Sequence, residues 1–169
     1  MSSVLIRPMV VFACLAGALV IATATAFAVP TITNFSFRLG AERTLKCSFV
    51  VGLSPGPNQA RCDGYSANVQ GAGALVGGDR AALRAEERKC QALAERYQVG
   101  MSVAGLVVDG RGRGAISCVG DAESGGTYLA VGQNISAGPF SCTGLRTGLR
   151  CVAKSGHGFF FGRTTWSTF

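Results

Sequence analysis

With 169 residues, the chain has room for one domain with a real core and not comfortably for two. Its seven cysteines include no Cys-x-x-Cys pair and it has a single histidine, His157, which argues against a zinc site. The formal net charge is +7 and no acid follows Glu123, so Arg146, Arg150, Lys154 and Arg163 form an all-basic end.

The first residues speak to compartment. Met1 to Pro8 carries one cation, Arg7, and no acid. Met9 to Ala22 is an unbroken apolar run, and Ala26-Phe27-Ala28 follows as a small-x-small cleavage signal. That layout predicts a signal peptide over residues 1–28 and a mature domain over residues 29–169. An uncleaved anchor is the competing reading, since Met9 to Val29 is long enough to span a bilayer. Bulky Phe12 stands where a lipobox needs a small residue, so Cys14 leaves with the leader. Cys47, Cys62, Cys90, Cys118, Cys142 and Cys151 remain. An even number in an oxidising compartment reads as three disulfides. The expected location is secreted, periplasmic or cell-envelope, with no membrane contact after cleavage.

Thr31 to Val51 alternates apolar and polar residues and predicts one or two half-buried strands. Gly52 to Asn58, with Ser54-Pro55-Gly56-Pro57 inside it, must turn. Folding symmetrically about that loop sets Cys47 opposite Cys62 and Phe49 opposite Ala60, a spacing that a disulfide tolerates. Ser66 to Gly78 reads as a small-residue linker. A helix over about residues 79–99 follows, capped by Asp79 and ended by Gly100. Leu83, Cys90, Ala94 and Tyr97, with Leu93 beside them, share one face, which turns Cys90 toward the core.

Met101 to Val108 is an apolar strand ending in the turn signal Asp109-Gly110, and Gly114 to Val119 returns with Cys118. Thr127 to Val131 reads as a further strand. In the last hairpin, symmetry puts Cys142 opposite Cys151 and Phe140 opposite Ala153 around a loop from Leu145 to Gly148. Gly148 is expected to supply a left-handed residue there. Cys90 and Cys118 then pair as the remaining two. The fold class expected is mainly β: an antiparallel sandwich or open barrel of short hairpins with one helix.

The chain resembles a group of small secreted bacterial domains of unknown function. The matching pieces are Lys46-Cys47, Arg61-Cys62-Asp63 and Ser117-Cys118-Val119-Gly120-Asp121, then Gly138-Pro139-Phe140-Ser141-Cys142, Gly156-His157-Gly158-Phe159 and Gly162-Arg163-Thr164-Thr165-Trp166. The likeness covers most of Phe37 to Phe169 and departs between Cys62 and Gly100. It implies export and a β-rich fold, and it brings no activity with it.

Function is less legible. A catalytic reading needs His157 oriented by a carboxylate and touching a nucleophile, with Ser141, Ser155 and Asp121 as the candidates. No Gly-x-Ser-x-Gly elbow presents a serine, and a glycine-flanked histidine can equally fill a corner. Phe159-Phe160-Phe161 alternate sides in a strand and are either core or, with Trp166 and Phe169, a partner patch. The expected function is therefore a non-enzymatic secreted domain that binds a protein or envelope component. An inhibitor of an extracellular enzyme and a small hydrolase using His157 are the alternatives. The candidate binding residues are Arg146, Arg150, Lys154, His157, Phe160 and Trp166. The partner is an extracellular protein or an anionic envelope polymer; four cations without a stacking pattern do not point to nucleic acid. No cofactor is expected.

Overall fold

The computed structural model describes residues 29–41, 43–52, 58–66, 80–98, 102–119 and 126–169. The leader, Asp79, Gly100, Asp121 and most of the expected linker lie outside these residues. Eleven strands and one helix follow in chain order: β1 Thr31–Arg38, β2 Arg43–Val51, β3 Gln59–Ser66, α1 Arg80–Tyr97, β4 Ser102–Asp109, β5 Ala115–Val119, β6 Thr127–Tyr128, β7 Asn134–Ala137, β8 Phe140–Leu145, β9 Gly148–Ala153, β10 Gly158–Gly162 and β11 Trp166–Thr168. They make a six-stranded sheet in the order β5-β4-β3-β2-β1-β6 and a five-stranded meander in the order β11-β10-β9-β8-β7. Of the two expected architectures, this is the sandwich.

Alternation builds the core. Strand β2 buries Leu45, Cys47 and Phe49, and β3 buries Ala60 and Cys62 on the same side. The second sheet answers with Phe140, Cys142, Leu149, Cys151, Ala153, Phe159 and Phe161. Phe49 joins the layers, with its ring 5.1 Å from Phe35 in its own sheet and 6.2 Å from Phe140 in the other. The expected hairpin registers are present: Cys47 faces Cys62, Phe49 faces Ala60, Cys142 faces Cys151 and Phe140 faces Ala153. Both cross-strand disulfides have Cα atoms 4.1 Å apart, the close spacing of directly opposed residues. Cys90–Cys118 is the third bridge and ties α1 to β5.

Of the one or two strands expected over Thr31 to Val51 there are two, paired antiparallel, with the Leu39 amide donating to the Arg43 carbonyl at 2.8 Å where the chain reverses. Other expectations change. On α1, Cys90 is buried and Leu83 packs against the core, but Leu93 and Tyr97 are exposed. Among the described residues, the helix packs on β4 and β5, with Cys90 and Leu83 turned to the core. The strand expected over Thr127 to Val131 is only two residues long and pairs parallel with β1. Strand β7 leaves little trace in the sequence, since Asn134-Ile135-Ser136-Ala137 carries a single strong apolar residue. Gly148 is not left-handed. It is needed for space, because a Cβ there would stand 2.8 Å from Gly162 Cα and 2.9 Å from Phe160 Cζ.

Candidate binding face

The acid-free end of the chain becomes a structural unit. Strands β7 to β11 all lie beyond Glu123, so the whole five-stranded sheet contains no carboxylate side chain. Its inner face is core. Its outer face carries Asn134, Thr143, Arg150, Phe160 and Ser167 in one cross-strand row, each the register partner of the next.

Glycines shape this face. Phe160 lies across Gly148 and Gly162, filling the space that their side chains would occupy at 2.9 and 2.7 Å. Phe169 likewise covers Gly158, whose Cβ would meet its ring at 2.9 Å, and backbone hydrogen bonds in both directions hold Phe169 beside Gly158. The Arg150 guanidinium sits over the Phe169 ring, 4.9 Å from its centroid. A cation stacked on an aromatic ring keeps its charge exposed while losing conformational freedom. Beside it, Asn134 Nδ2 donates to Ser141 Oγ at 2.8 Å and to Thr143 Oγ1 at 2.9 Å, and Ser136 Oγ donates to Asn134 Oδ1 at 3.0 Å. The result is a surface of short hydroxyls and one amide next to two rings and one oriented guanidinium.

The six candidate residues are not one cluster. Arg150 and Phe160 are register partners on the outer face. Arg146 stands in the β8–β9 turn, and Lys154 and His157 lie at the opposite end of β9, in the turn to β10. Trp166 pairs with Phe161 and packs against the core, so it leaves the proposed surface. Phe159 and Phe161 are buried and Phe160 is half-buried on the other side, which divides the aromatic run between core and surface. Phe169, absent from that candidate set, turns out to orient Arg150.

His157 is half-buried, and its backbone carbonyl accepts from the Ala153 amide at 2.8 Å. Among the described residues, no carboxylate contacts its ring, Ser155 is an exposed turn residue, and the Ser141 hydroxyl is committed to Asn134. Asp121 lies outside the described residues. Among the described residues, no acid–base–nucleophile chain runs through His157.

A second cluster lies on the outer face of the first sheet. Asp63 is only 5% exposed, and Arg61 Nε donates to its Oδ1 at 2.9 Å. Lys46 faces Asp63 in register on β2, and Gly105 faces it on β4, where any Cβ would overlap Asp63 Oδ1. The sequence signal was Arg61-Cys62-Asp63, two charges at strand spacing around a core cysteine. Burial raises the Asp63 carboxyl above its ordinary value, and the charge and hydrogen bond of Arg61 only partly oppose it. Its folded value thus exceeds its unfolded one. The contribution of Asp63 to stability is then full at low pH and is lost as pH rises through the folded value. Comparing denaturant midpoints at pH 3 and pH 7, the native chain should gain relative to Asp63→Asn as pH falls. A relative loss at low pH would mean that the ion pair outweighs desolvation.

Among the described residues, no group of three or more His, Cys, Asp or Glu side chains could hold a metal ion, and no helix is long and apolar enough to cross a membrane. Comparisons with family models, with curated proteins and with solved structures find no match for this chain.

Proposed function

We propose that this chain is an exported, non-enzymatic binding domain that uses the outer face of its five-stranded sheet. The observation that supports this reading most directly is Arg150, held over Phe169 beside Phe160 on a sheet with no acidic residue. Polar surface of one sign is not needed to close a core, and an aromatic pair left outside it is a common feature of contact sites. Three disulfides suit an oxidising compartment, in keeping with removal of residues 1–28. The exported protein should have the intact mass of a chain starting at Val29; recovery of Met9 to Ala28 in membrane-bound material would make that segment an anchor.

The test is retention of the purified domain on insoluble envelope material from the producing cells, eluted with a salt gradient. The native domain should be held at low salt and released as screening shortens the Debye length from about 10 Å toward about 3 Å. Arg146→Glu, Arg150→Glu and Lys154→Glu together should abolish retention while leaving the fold intact. Equal retention of both proteins would refute the assignment of this face. So would a hydrolytic activity of the domain that His157→Gln removes.

A further inference from the structure

We infer that the ligand of this face is an acidic polysaccharide, a glycan carrying uronate carboxylates along an extended chain. The inference rests on the binding reading above and adds the chemistry of the partner. Three features of the surface choose it.

The cations are sparse. Arg150 stands on β9, Arg146 in the turn before it and Lys154 in the turn after it, with no other charged residue between Arg146 and Lys154. Duplex DNA presents one charge per roughly 1.7 Å of axis and rewards dense arrays of Lys and Arg. A polymer with one carboxylate per sugar, or per few sugars, is less densely charged and closer to this sparse set of cations. The surface is also rich in short neutral hydrogen-bonding groups. Asn134, Ser136, Ser141 and Thr143 lie on the same face as Arg150 and already share hydrogen bonds. Hydroxyls that both donate and accept suit a ligand made of hydroxyls. Finally, Phe160 gives an apolar ring surface, half-buried on its glycines, directly across from Arg150 in register. A sugar ring has an apolar face of CH groups and a polar edge. Laid on Phe160, its carboxylate would fall within reach of the planar guanidinium, which pairs with carboxylates through two parallel hydrogen bonds. Phe169 acts here as a positioning residue, holding that guanidinium over the sheet.

The experiment measures binding of the full mature domain to three soluble polymers at matched ionic strength: polygalacturonate, neutral dextran and double-stranded DNA. Polygalacturonate should bind most tightly and dextran weakly or not at all. Phe160→Leu keeps an apolar side chain but removes the ring, and should weaken polygalacturonate binding about tenfold, with an unchanged salt slope. Arg150→Lys keeps the charge but not the plane and should lose a similar factor, again with the slope retained. Arg150→Ala should lower both the affinity and the slope. Phe169→Ala should lower affinity at unchanged slope, because the charge remains but is no longer held. Equal binding of DNA and polygalacturonate, with Phe160→Leu silent, overturns the glycan and leaves a polyanion-binding face. Binding of none of the polymers, together with envelope retention that the triple charge reversal abolishes, also overturns the glycan but leaves the face. Loss of that retention result removes the face itself.

Discussion

Phe49→Ala should be among the most damaging single substitutions in this protein, costing about 3–5 kcal/mol. Phe49 is fully buried and is the ring through which the two sheets meet, with Phe35 on one side and Phe140 stacked on the other at an interplanar angle of 7°. Removing it leaves a void between layers that are each pinned by their own hairpin disulfide and so cannot collapse far to fill it. A domain of this size has a total stability on the order of 5–15 kcal/mol, so the variant should unfold at a much lower denaturant concentration. The slope of unfolding free energy against denaturant should stay the same, as expected when compactness is unaltered. Phe160→Ala, on the outer face, supplies the contrast and should cost clearly less. If Phe49→Ala lost under about 1 kcal/mol, the packing of the two sheets across this ring would be wrong.

The second large effect is expected to be local. Replacing Cys90 and Cys118 together with serine opens a covalent loop of sequence separation 28, for which chain-entropy reasoning gives roughly 3–4 kcal/mol. That loss falls on α1 more than on the sheets. Of its 18 residues only Cys90 is buried, and Leu93 and Tyr97 face solvent. Helices in proteins take most of their stability from tertiary packing, and among the described residues the bridge and Leu83 are what tie this one to the core. Amide exchange should therefore show α1 losing about two orders of magnitude of protection, while β8, β9 and β10 keep theirs behind Cys142–Cys151. Unchanged protection in α1 would show that packing, and not the disulfide, docks the helix. A matching loss across both sheets would mean that the helix is part of one cooperative unit with them.

The face and the buried carboxylate differ in what they allow. Arg150 keeps its charge at the surface, where a partner can reach it. Asp63 gives up nearly all contact with solvent and accepts a bond from Arg61, and Gly105 makes the room. That places Asp63 in the support of the first sheet, apart from the face proposed for binding on the second.

Much of this protein was legible from sequence because its hairpins are local. Where two cysteines flank a short turn, as Cys142 and Cys151 do, the number of residues between them sets which residues oppose, and Phe140–Ala153 follows with no knowledge of the rest. The same holds for Cys47 and Cys62, and the third bridge then had only Cys90 and Cys118 left. Alternation alone also showed that Phe159 and Phe161 share a side that Phe160 does not. Which side was core could not be read there, because it depends on the register of β10 against β9. Pairing Phe160 with Arg150 and Phe159 with Cys151 decides it, sending one ring outward and two inward. Trp166 is settled the same way: its pairing with Phe161 turns it to the core, although its sequence neighbours are polar. The parallel β6 strand is two residues held against β1 from a distant part of the chain, too short to leave a periodic trace. The role of Phe169 is likewise tertiary, since only the return of the last residue onto Gly158 brings its ring beneath Arg150. Local turn chemistry and side-chain parity are written in neighbouring residues; the choice between inside and outside belongs to strands that meet only when the chain has folded.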